Sequence, residues 1–162
     1  MIDNASVQRV RNALAAAGGG HTVVVLQQSA RTSADAARAV GCRVDQIAKS
    51  LVFRGAQSQR AVLVITSGAN RVDELKVAGL ITEPIARADA DFVRARTGYA
   101  IGGVPPIAHA EALTILIDED LMQWPEIWAA AGHPNTVFKL TPDDLVRMTG
   151  GRVAPVRTGD GR

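Results

Sequence analysis

Hydrophobic and polar positions follow a helical period in several segments of the chain. In SVQRVRNALAAAG, Val7, Val10 and Leu14 share one face, and Ser6 is the predicted N-cap. Further helices are predicted where a capping residue precedes a periodic segment and a glycine follows it. These segments are TSADAARAVG, RVDELKVAG, DADFVRARTG and TPDDLVRMTG.

Short runs rich in β-branched residues separate these helices and predict strands. The predicted strands are HTVVVLQQ, SLVFRG, RAVLVITS, LTILID, EIWAAAG, TVFKL and GRVAPV, with GAQSQ as a hairpin loop. Strands and helices intermingle without a linker or repeat, which predicts a single α/β (α+β) domain over residues 1–156. The tail RTGDGR, residues 157–162, has nothing to bury and is predicted to be flexible.

Composition narrows the class of protein. A chain of 162 residues with 47% hydrophobic residues can bury a core, and no apolar run approaches the roughly 20 residues of a membrane span. The N-terminal residues lack a basic stretch followed by an apolar one, so we expect no secretory signal. The single cysteine, Cys42, excludes an internal disulfide and favours a reducing, cytoplasmic compartment. A net charge of +2 is compatible with an anionic partner.

The familiar catalytic motifs are absent from the sequence. The histidines His21, His109 and His133 are scattered and lack zinc-ligand spacing, and neither a P-loop nor a G-x-S-x-G elbow occurs. We therefore expect no metal and no cofactor. Cys42 has no neighbouring histidine that would activate a thiolate, and we interpret it as a small buried residue rather than a nucleophile.

Two features remain as candidates for chemistry. The first is Lys49 in QIAKSLVF, one of only three lysines in an arginine-rich chain, at the predicted start of a strand. It either extends along a strand edge or projects into a pocket to bind an anionic or carbonyl oxygen. The second is IGGVPPIAH, residues 101–109, where glycines and prolines predict a bent, stiff backbone. That loop is either a structural turn or a set of N–H groups that converge on an oxygen.

Four segments, in this order and spacing, resemble the YbaK/prolyl-tRNA synthetase-associated domain family. They are GCRVDQIAKSLVFRG, RAVLVITSGANRVD, RTGYAIGGVPPIAH and AAAGHPNTVFKLTPDDLVRMTG, and the resemblance runs from about Thr32 to Val156. The family implies a mixed, curled β-sheet or partial barrel surrounded by helices. It also implies hydrolysis of the ester that links a wrong amino acid to the terminal adenosine of transfer RNA (tRNA). The absence of synthetase motifs indicates the free-standing kind of deacylase, and the lack of a metal motif predicts that it is metal-independent.

The resemblance assigns roles to particular residues. The family's essential lysine matches Lys49, and its Gly-x-x-x-Pro loop matches Gly102–Pro106, so that Gly102 and Gly103 would supply N–H groups to the oxyanion. The usual serine before the last proline and the glycine soon after it are here Pro105 and Ala108, which predicts a different pocket. The substrate-binding residues expected from the resemblance are Ser50, Ser67, Gly68, Val104, Pro105, Pro106, His109, His133 and Asn135. For His133 and Asn135, a purely structural role in the loop explains their presence equally well.

The expected partner is the 3′ aminoacyl-adenosine end of mischarged tRNA, with an aminoacyl-tRNA synthetase as a further partner and neither membrane nor DNA. Phosphate contacts would come from arginines, with Arg54, Arg60 and Arg71 as candidates near the strand ends. Two alternatives stay open: a non-catalytic module that binds aminoacyl-tRNA or a nucleotide, and a domain that interacts with a synthetase.

Overall fold

Five helices and eight strands form one mixed α/β unit in the computed structural model, which describes residues 4–159. The helices are α1 Asn4–Ala17, α2 Ser33–Val40, α3 Glu74–Ile81, α4 Ala90–Thr97 and α5 Pro142–Thr149. The strands are β1 Val23–Val25, β2 Ile47–Gly55, β3 Ala61–Ser67, β4 Ile85–Arg87, β5 Thr114–Asp118, β6 Ile127–Ala130, β7 Thr136–Leu140 and β8 Arg152–Ala154. No described helix is both long and apolar enough to cross a membrane.

All eight strands belong to one mixed sheet, in the order β1-β7-β6-β2-β3-β5-β8, with β4 paired to β2. The pairs β2–β3 and β6–β7 are antiparallel, whereas β2–β6, β3–β5 and β5–β8 are parallel. The first and last strands of this order do not pair within the described chain, so the sheet is not closed into a barrel. The predicted class, a mixed α/β domain with a sheet among helices, is confirmed.

The core lies on both faces of the sheet because successive side chains of a strand point to opposite faces. Every residue of β3 is buried. Leu63 and Ile65 pack with α1 and α4 on one face, and Val62 and Val64 pack with α3 on the other. The candidate site lies along strand β2, at the margin of this core.

Several predicted boundaries are corrected. Helix α1 begins at Asn4, so Ser6 lies in its first turn and is not the N-cap. Strand β2 begins at Ile47, so Lys49 lies inside a strand rather than at its start. The three-residue strand β4 was not predicted, because a segment that short has no detectable period.

The first residues of the C-terminal segment contact the rest of the domain. The Thr158 N–H donates to the Arg71 carbonyl at 2.8 Å, and Val72 forms a bridge with Arg157. The Arg157 side chain also pairs with Asp120. Arg157 and Thr158 of the predicted tail therefore contact the domain, and its last residues, 160–162, lie outside the described chain.

Candidate active site

Strand β2 has a gap in its pairing at the position of Lys49. On the edge away from β3, strand β6 pairs with Ile47 and Ala48, and β4 pairs with residues 53–55. No described strand pairs with Lys49–Val52 on that edge. Two cavities open along this stretch, so the gap is the structural origin of the site.

The first cavity, of about 370 Å³, has mostly apolar walls. Its walls come from α2, β2, β6, the start of β7 and the loop after α4. The lining residues that the sequence did not indicate include Ala36, Val40, Trp128, Ala129, Ala130, Pro134 and Val137. Two hydroxyls on its wall are already bonded: Thr32 Oγ1 accepts from the Asp35 N–H, and Thr136 Oγ1 donates to the His133 carbonyl. We refer to this space as the apolar cavity.

The second cavity, of about 590 Å³, contains most of the free charge. Lys49, Arg71 and Arg87 line it together with Asn70 and one carboxylate, Glu74. No described residue forms an ion pair with either arginine, so their guanidinium groups remain available to an anion. We refer to this space as the basic cavity.

Lys49 lies on the boundary between the two cavities. It lines both of them, is exposed, and stands opposite Thr66 of β3. The other two lysines have partners: Lys76 Nζ donates to the Arg157 carbonyl at 2.9 Å, and Lys139 pairs with Glu126 at 3.4 Å. Among residues 4–159, nothing pairs with the Lys49 ammonium, which leaves it free to bind an oxygen of a ligand.

The loop between α4 and β5 crosses the gap, and Gly102 and Val104 line both cavities. Gly102 has φ +94°, a value that a side chain disfavours. The Gly103 N–H donates to the Ala100 carbonyl at 3.0 Å inside the loop, and Gly103 is buried. Of the two predicted N–H donors, Gly102 therefore lines the cavities and has no partner for its N–H among the described residues.

Gly103 has a packing role instead. A Cβ on Gly103 would lie 2.8 Å from His133 Cα and 2.9 Å from His133 N. The glycine therefore lets the loop pack directly against the backbone that leads into β7. This contact sets the distance between Gly102 and the far wall of the apolar cavity.

The side chains of Tyr99 and His109 hold the same loop through contacts with its carbonyl groups. The Tyr99 hydroxyl donates to the Ala108 carbonyl at 2.8 Å, and His109 Nε2 lies 2.7 Å from the Pro105 carbonyl. Burial lowers the pKa of His109, although its bond to Pro105 opposes the shift, so the ring is neutral at neutral pH and Nε2–H is the donor. Pro105 and Pro106 are buried beside the half-buried His109. These residues position the loop, and none of the predicted site residues Pro105, Pro106 and His109 lines either cavity within the described chain.

The turn before β7 carries His133 and Asn135, and both side chains make hydrogen bonds within it. His133 Nδ1 accepts from the Asn135 N–H at 3.1 Å, and Asn135 Oδ1 accepts from Ser29 Oγ. Both side chains thus hold the turn, while Pro134 and Thr136, between and beside them, line the apolar cavity. The structural explanation fits their contacts.

Ser67 and Gly68 lie beneath the site. Ser67 Oγ donates to the Asp45 carbonyl, and a Cβ on Gly68 would lie 2.6 Å from Ser33 Cβ. The buried Asp118 carboxylate accepts from Thr66 Oγ1, the Ser67 N–H and the Asn70 side chain. This network fixes the segment that carries Arg71 into the basic cavity.

The other candidates from the sequence, Cys42, Arg60 and Arg54, differ in what they contact. Cys42 lies outside both cavities, donates to the Arg43 carbonyl, and has a pKa raised by burial, all of which disfavour a thiolate nucleophile. Arg60 pairs with the Glu83 carboxylate at 3.0 Å and is occupied. Arg54 lies 5.7 Å from the centre of the Phe92 ring, and its buried Nε has no partner among the described residues. No described group of His, Cys, Asp or Glu has the arrangement of a metal site.

Of the predicted site residues, Lys49, Ser50, Gly102 and Val104 meet around the gap. Arg87 was not predicted as a site residue because strand β4 was not predicted. The cavity walls from α2 and β6 were not predicted because alanines in those elements are compatible with any packed surface. No sequence signal identified Arg87, which the structure places opposite Phe53 of β2.

Comparison with known proteins identifies the family. Residues 27–148 match the model of the aminoacyl-tRNA editing domain. A solved structure of a candidate trans-editing enzyme for prolyl-tRNA synthetase is 46% identical, with a TM-score of 0.90 over 95% of this chain and 98% of that one. A scaffold protein for computationally grafted epitopes is 44% identical, with a TM-score of 0.88 over 95% and 97%.

A further relative is named only as an uncharacterised protein. The uncharacterised protein YwhH of Bacillus subtilis is 28% identical over 131 residues, which are 81% of this chain and 83% of the relative. The match of the family model covers most of the chain, from the turn after β1 into the last helix. The chain therefore belongs to the aminoacyl-tRNA editing domain family.

Proposed function

We propose that this protein is a free-standing deacylase that hydrolyses the ester bond of mischarged tRNA. One observation carries the proposal: the unpaired Lys49 ammonium lies between an apolar cavity and a basic cavity. An aminoacyl-adenosine end has the same two parts, an amino-acid side chain and a phosphate-bearing nucleotide, joined by the ester. Both cavities fall in the size range of small-ligand sites, about 300–1,000 Å³.

The proposed reaction needs an oriented ester and a stabilised oxyanion. Water adds to the ester carbonyl, the tetrahedral intermediate collapses, and the ribose oxygen leaves with a proton, which gives a free amino acid and intact tRNA. The Gly102 N–H is the loop donor for the developing oxyanion, and a rigid donor is effective because it does not reorganise during the reaction. Lys49 binds the carbonyl, the ribose or the adjacent phosphate.

Activation of the water is assigned to the substrate. No histidine or carboxylate lines the apolar cavity, and Glu74 is the one carboxylate among the described residues that line the basic cavity. The free hydroxyl of the terminal ribose, next to the ester, can orient the attacking water. The proposed mechanism uses neither metal nor cofactor.

The proposed partner is tRNA, bound mainly through phosphates by Arg71 and Arg87 of the basic cavity. The relative named for prolyl-tRNA synthetase supports a role beside a synthetase, which is a further proposed partner. We place the activity in the cytoplasm, where tRNA is charged.

Deacylation of a panel of mischarged tRNAs by the purified protein tests the proposal. We expect hydrolysis well above the spontaneous rate for at least one amino acid. Lys139→Ala is the matched control, since Lys139 is also an exposed strand lysine but pairs with Glu126 and lines neither cavity. Tight binding of the tRNAs without hydrolysis would instead indicate a binding module.

A further inference from the structure

The hydrogen bonds at the two ends of the β2–β3 ladder define which main-chain groups face each edge of β2. The Gly55 N–H donates to the Arg60 carbonyl at 2.9 Å, and the Gly68 N–H donates to the Ile47 carbonyl at 2.8 Å. Antiparallel partners alternate between bonded and non-bonded pairs, so the odd-numbered residues of β2 bond to β3. Ser50 therefore directs both its N–H and its C=O to the opposite edge.

That opposite edge is empty at Ser50. The parallel pairing with β6 ends at Ala48, and the antiparallel pairing with β4 begins at Phe53. No described strand pairs with Ser50 on this edge, no main-chain bond outside the strand ladders reaches it, and the buried Ser50 Oγ also has no partner among residues 4–159. Main-chain polar groups removed from water are almost always paired. Ser50 lines both cavities, so a ligand that occupies the site would meet these groups.

We propose that the Ser50 main chain recognises the α-aminoacyl group itself: its C=O accepts from the α-ammonium and its N–H donates to the ester carbonyl. This inference rests on the proposed deacylase function. Two residues in a bonded antiparallel pair exchange both hydrogen bonds. An α-aminoacyl ester has its nitrogen and carbonyl oxygen in the same relation as a strand residue, so one aminoacyl group can take the place of one residue.

The arrangement also supplies a second donor to the oxyanion. The Gly103 N–H is engaged by Ala100, which leaves the loop with the Gly102 N–H. The Ser50 N–H lines the same space from the strand side, so the two donors would reach the carbonyl oxygen from the loop and the sheet. The side chain of the amino acid and the ribose ester then point to the apolar and basic cavities.

The size of the gap favours an aminoacyl group over a peptide strand. Only residues 49–52 lie between the two ladders, and Ser50 is the even-numbered residue among them that lines both cavities. Ile101 and Gly102 line the same cavities from the loop. A longer peptide would therefore meet the ends of β6 and β4, whereas a single residue fits between them.

Removal of the α-amine from the substrate tests the inference. The tRNA charged with the amino acid that the wild type cleaves fastest is compared with the same tRNA that carries the deaminated acyl group with an identical side chain. Each rate is divided by the spontaneous hydrolysis rate of its own ester. We expect the normalised rate to fall at least about tenfold for the deaminated ester, because a hydrogen bond to a charged group is lost. Equal normalised rates would overturn the inference but leave the deacylase function standing, whereas no catalysis on any ester would overturn both.

A pair of variants tests the N–H separately. Ser50→Pro removes the N–H, and Ser50→Ala keeps it, while both remove the hydroxyl. Since the Ser50 N–H is outside the β2–β3 ladder, we expect Ser50→Pro to fold, in contrast to Leu51→Pro, which loses a ladder bond to Val64. Turnover should be about 100-fold lower in Ser50→Pro than in Ser50→Ala. Equal turnover would contradict the role of the N–H, and if Ser50→Pro does not fold, the comparison of the two esters decides.

Discussion

Alanine at Gly102 or at Gly103 perturbs the loop across the gap in two physically different ways. Gly102 has φ +94°, but its added Cβ would lie 3.7 Å from Pro134 Cγ, an ordinary contact. At Gly103, the added Cβ would lie 2.8 Å from His133 Cα, a backbone atom that cannot rotate away. The first substitution strains a backbone angle, and the second forces the loop and the turn before β7 apart.

The expected losses of stability follow from these contacts. A left-handed backbone costs a non-glycine residue about 1–2 kcal/mol, which for a chain of this size lowers the melting temperature by roughly 2–8 °C. Overpacking at Gly103 costs about 1–3 kcal/mol, since the displaced atoms belong to the main chain. Neither loss is large enough to unfold a domain of ordinary stability.

The loss of activity should exceed what these stability changes explain. Because Gly103→Ala displaces the Gly102 N–H from the ester, we expect single-turnover deacylation to fall by about 100-fold or more. Gly102→Ala should also lower it sharply, while Pro106→Ala, which only loosens the buried loop, should have a milder effect. Melting temperature and single-turnover rate are measured on the same preparations. Large losses of stability with full activity in the folded fraction would show that the loop is only a structural turn.

Three further predictions concern charge and the thiol. The pKa of Glu83 is lowered to about 2 by bonds from the Ser58 N–H and hydroxyl and, to a smaller extent, by the Gln57 N–H and Arg60. The contribution of this carboxylate to stability is therefore present above pH 4.5 and is lost toward pH 2. Glu83→Gln should therefore lower the melting temperature at neutral pH, with a difference from wild type that shrinks over that range; a constant difference would contradict this cause. Arg87→Ala should weaken tRNA binding and flatten its salt dependence while hydrolysis of a small aminoacyl ester is unaffected, and an unchanged salt slope would place the phosphates elsewhere. Cys42→Ala should keep full turnover, and loss of turnover would return the thiol to the mechanism.

Local signals in the sequence predicted the elements that depend on local chemistry. Helix α5 follows a capping box in which Thr141 Oγ1 accepts from the Asp144 N–H, and Gly150 ends it in a left-handed conformation. Such signals act within a few residues and are visible in one sequence. They also placed the two segments, around Lys49 and around Gly102, that carry the site.

The parts that the sequence could not predict depend on distant partners. The gap at Ser50 exists because the pairing with β6 ends at Ala48 and the pairing with β4 begins at Phe53. No local pattern in the sequence of β2 indicates where those pairings stop. The bond from the Gly103 N–H to the Ala100 carbonyl was likewise not predictable from the sequence. Nor did the sequence indicate that the His109 ring would bond to the Pro105 carbonyl and hold the loop.

The most direct test of the account is single-turnover deacylation by Lys49→Ala on the mischarged tRNA that the wild type cleaves fastest. The Lys49 ammonium lies between the two cavities and has no partner among the described residues. Its removal therefore takes no ion pair or hydrogen bond from the fold. We therefore expect an unchanged melting temperature and a rate at least about 100-fold lower, with little rescue by Lys49→Arg because a guanidinium is larger and planar. Lys139→Ala should match the wild type in both measurements. A folded Lys49→Ala protein that deacylates at the wild-type rate would contradict the central claim.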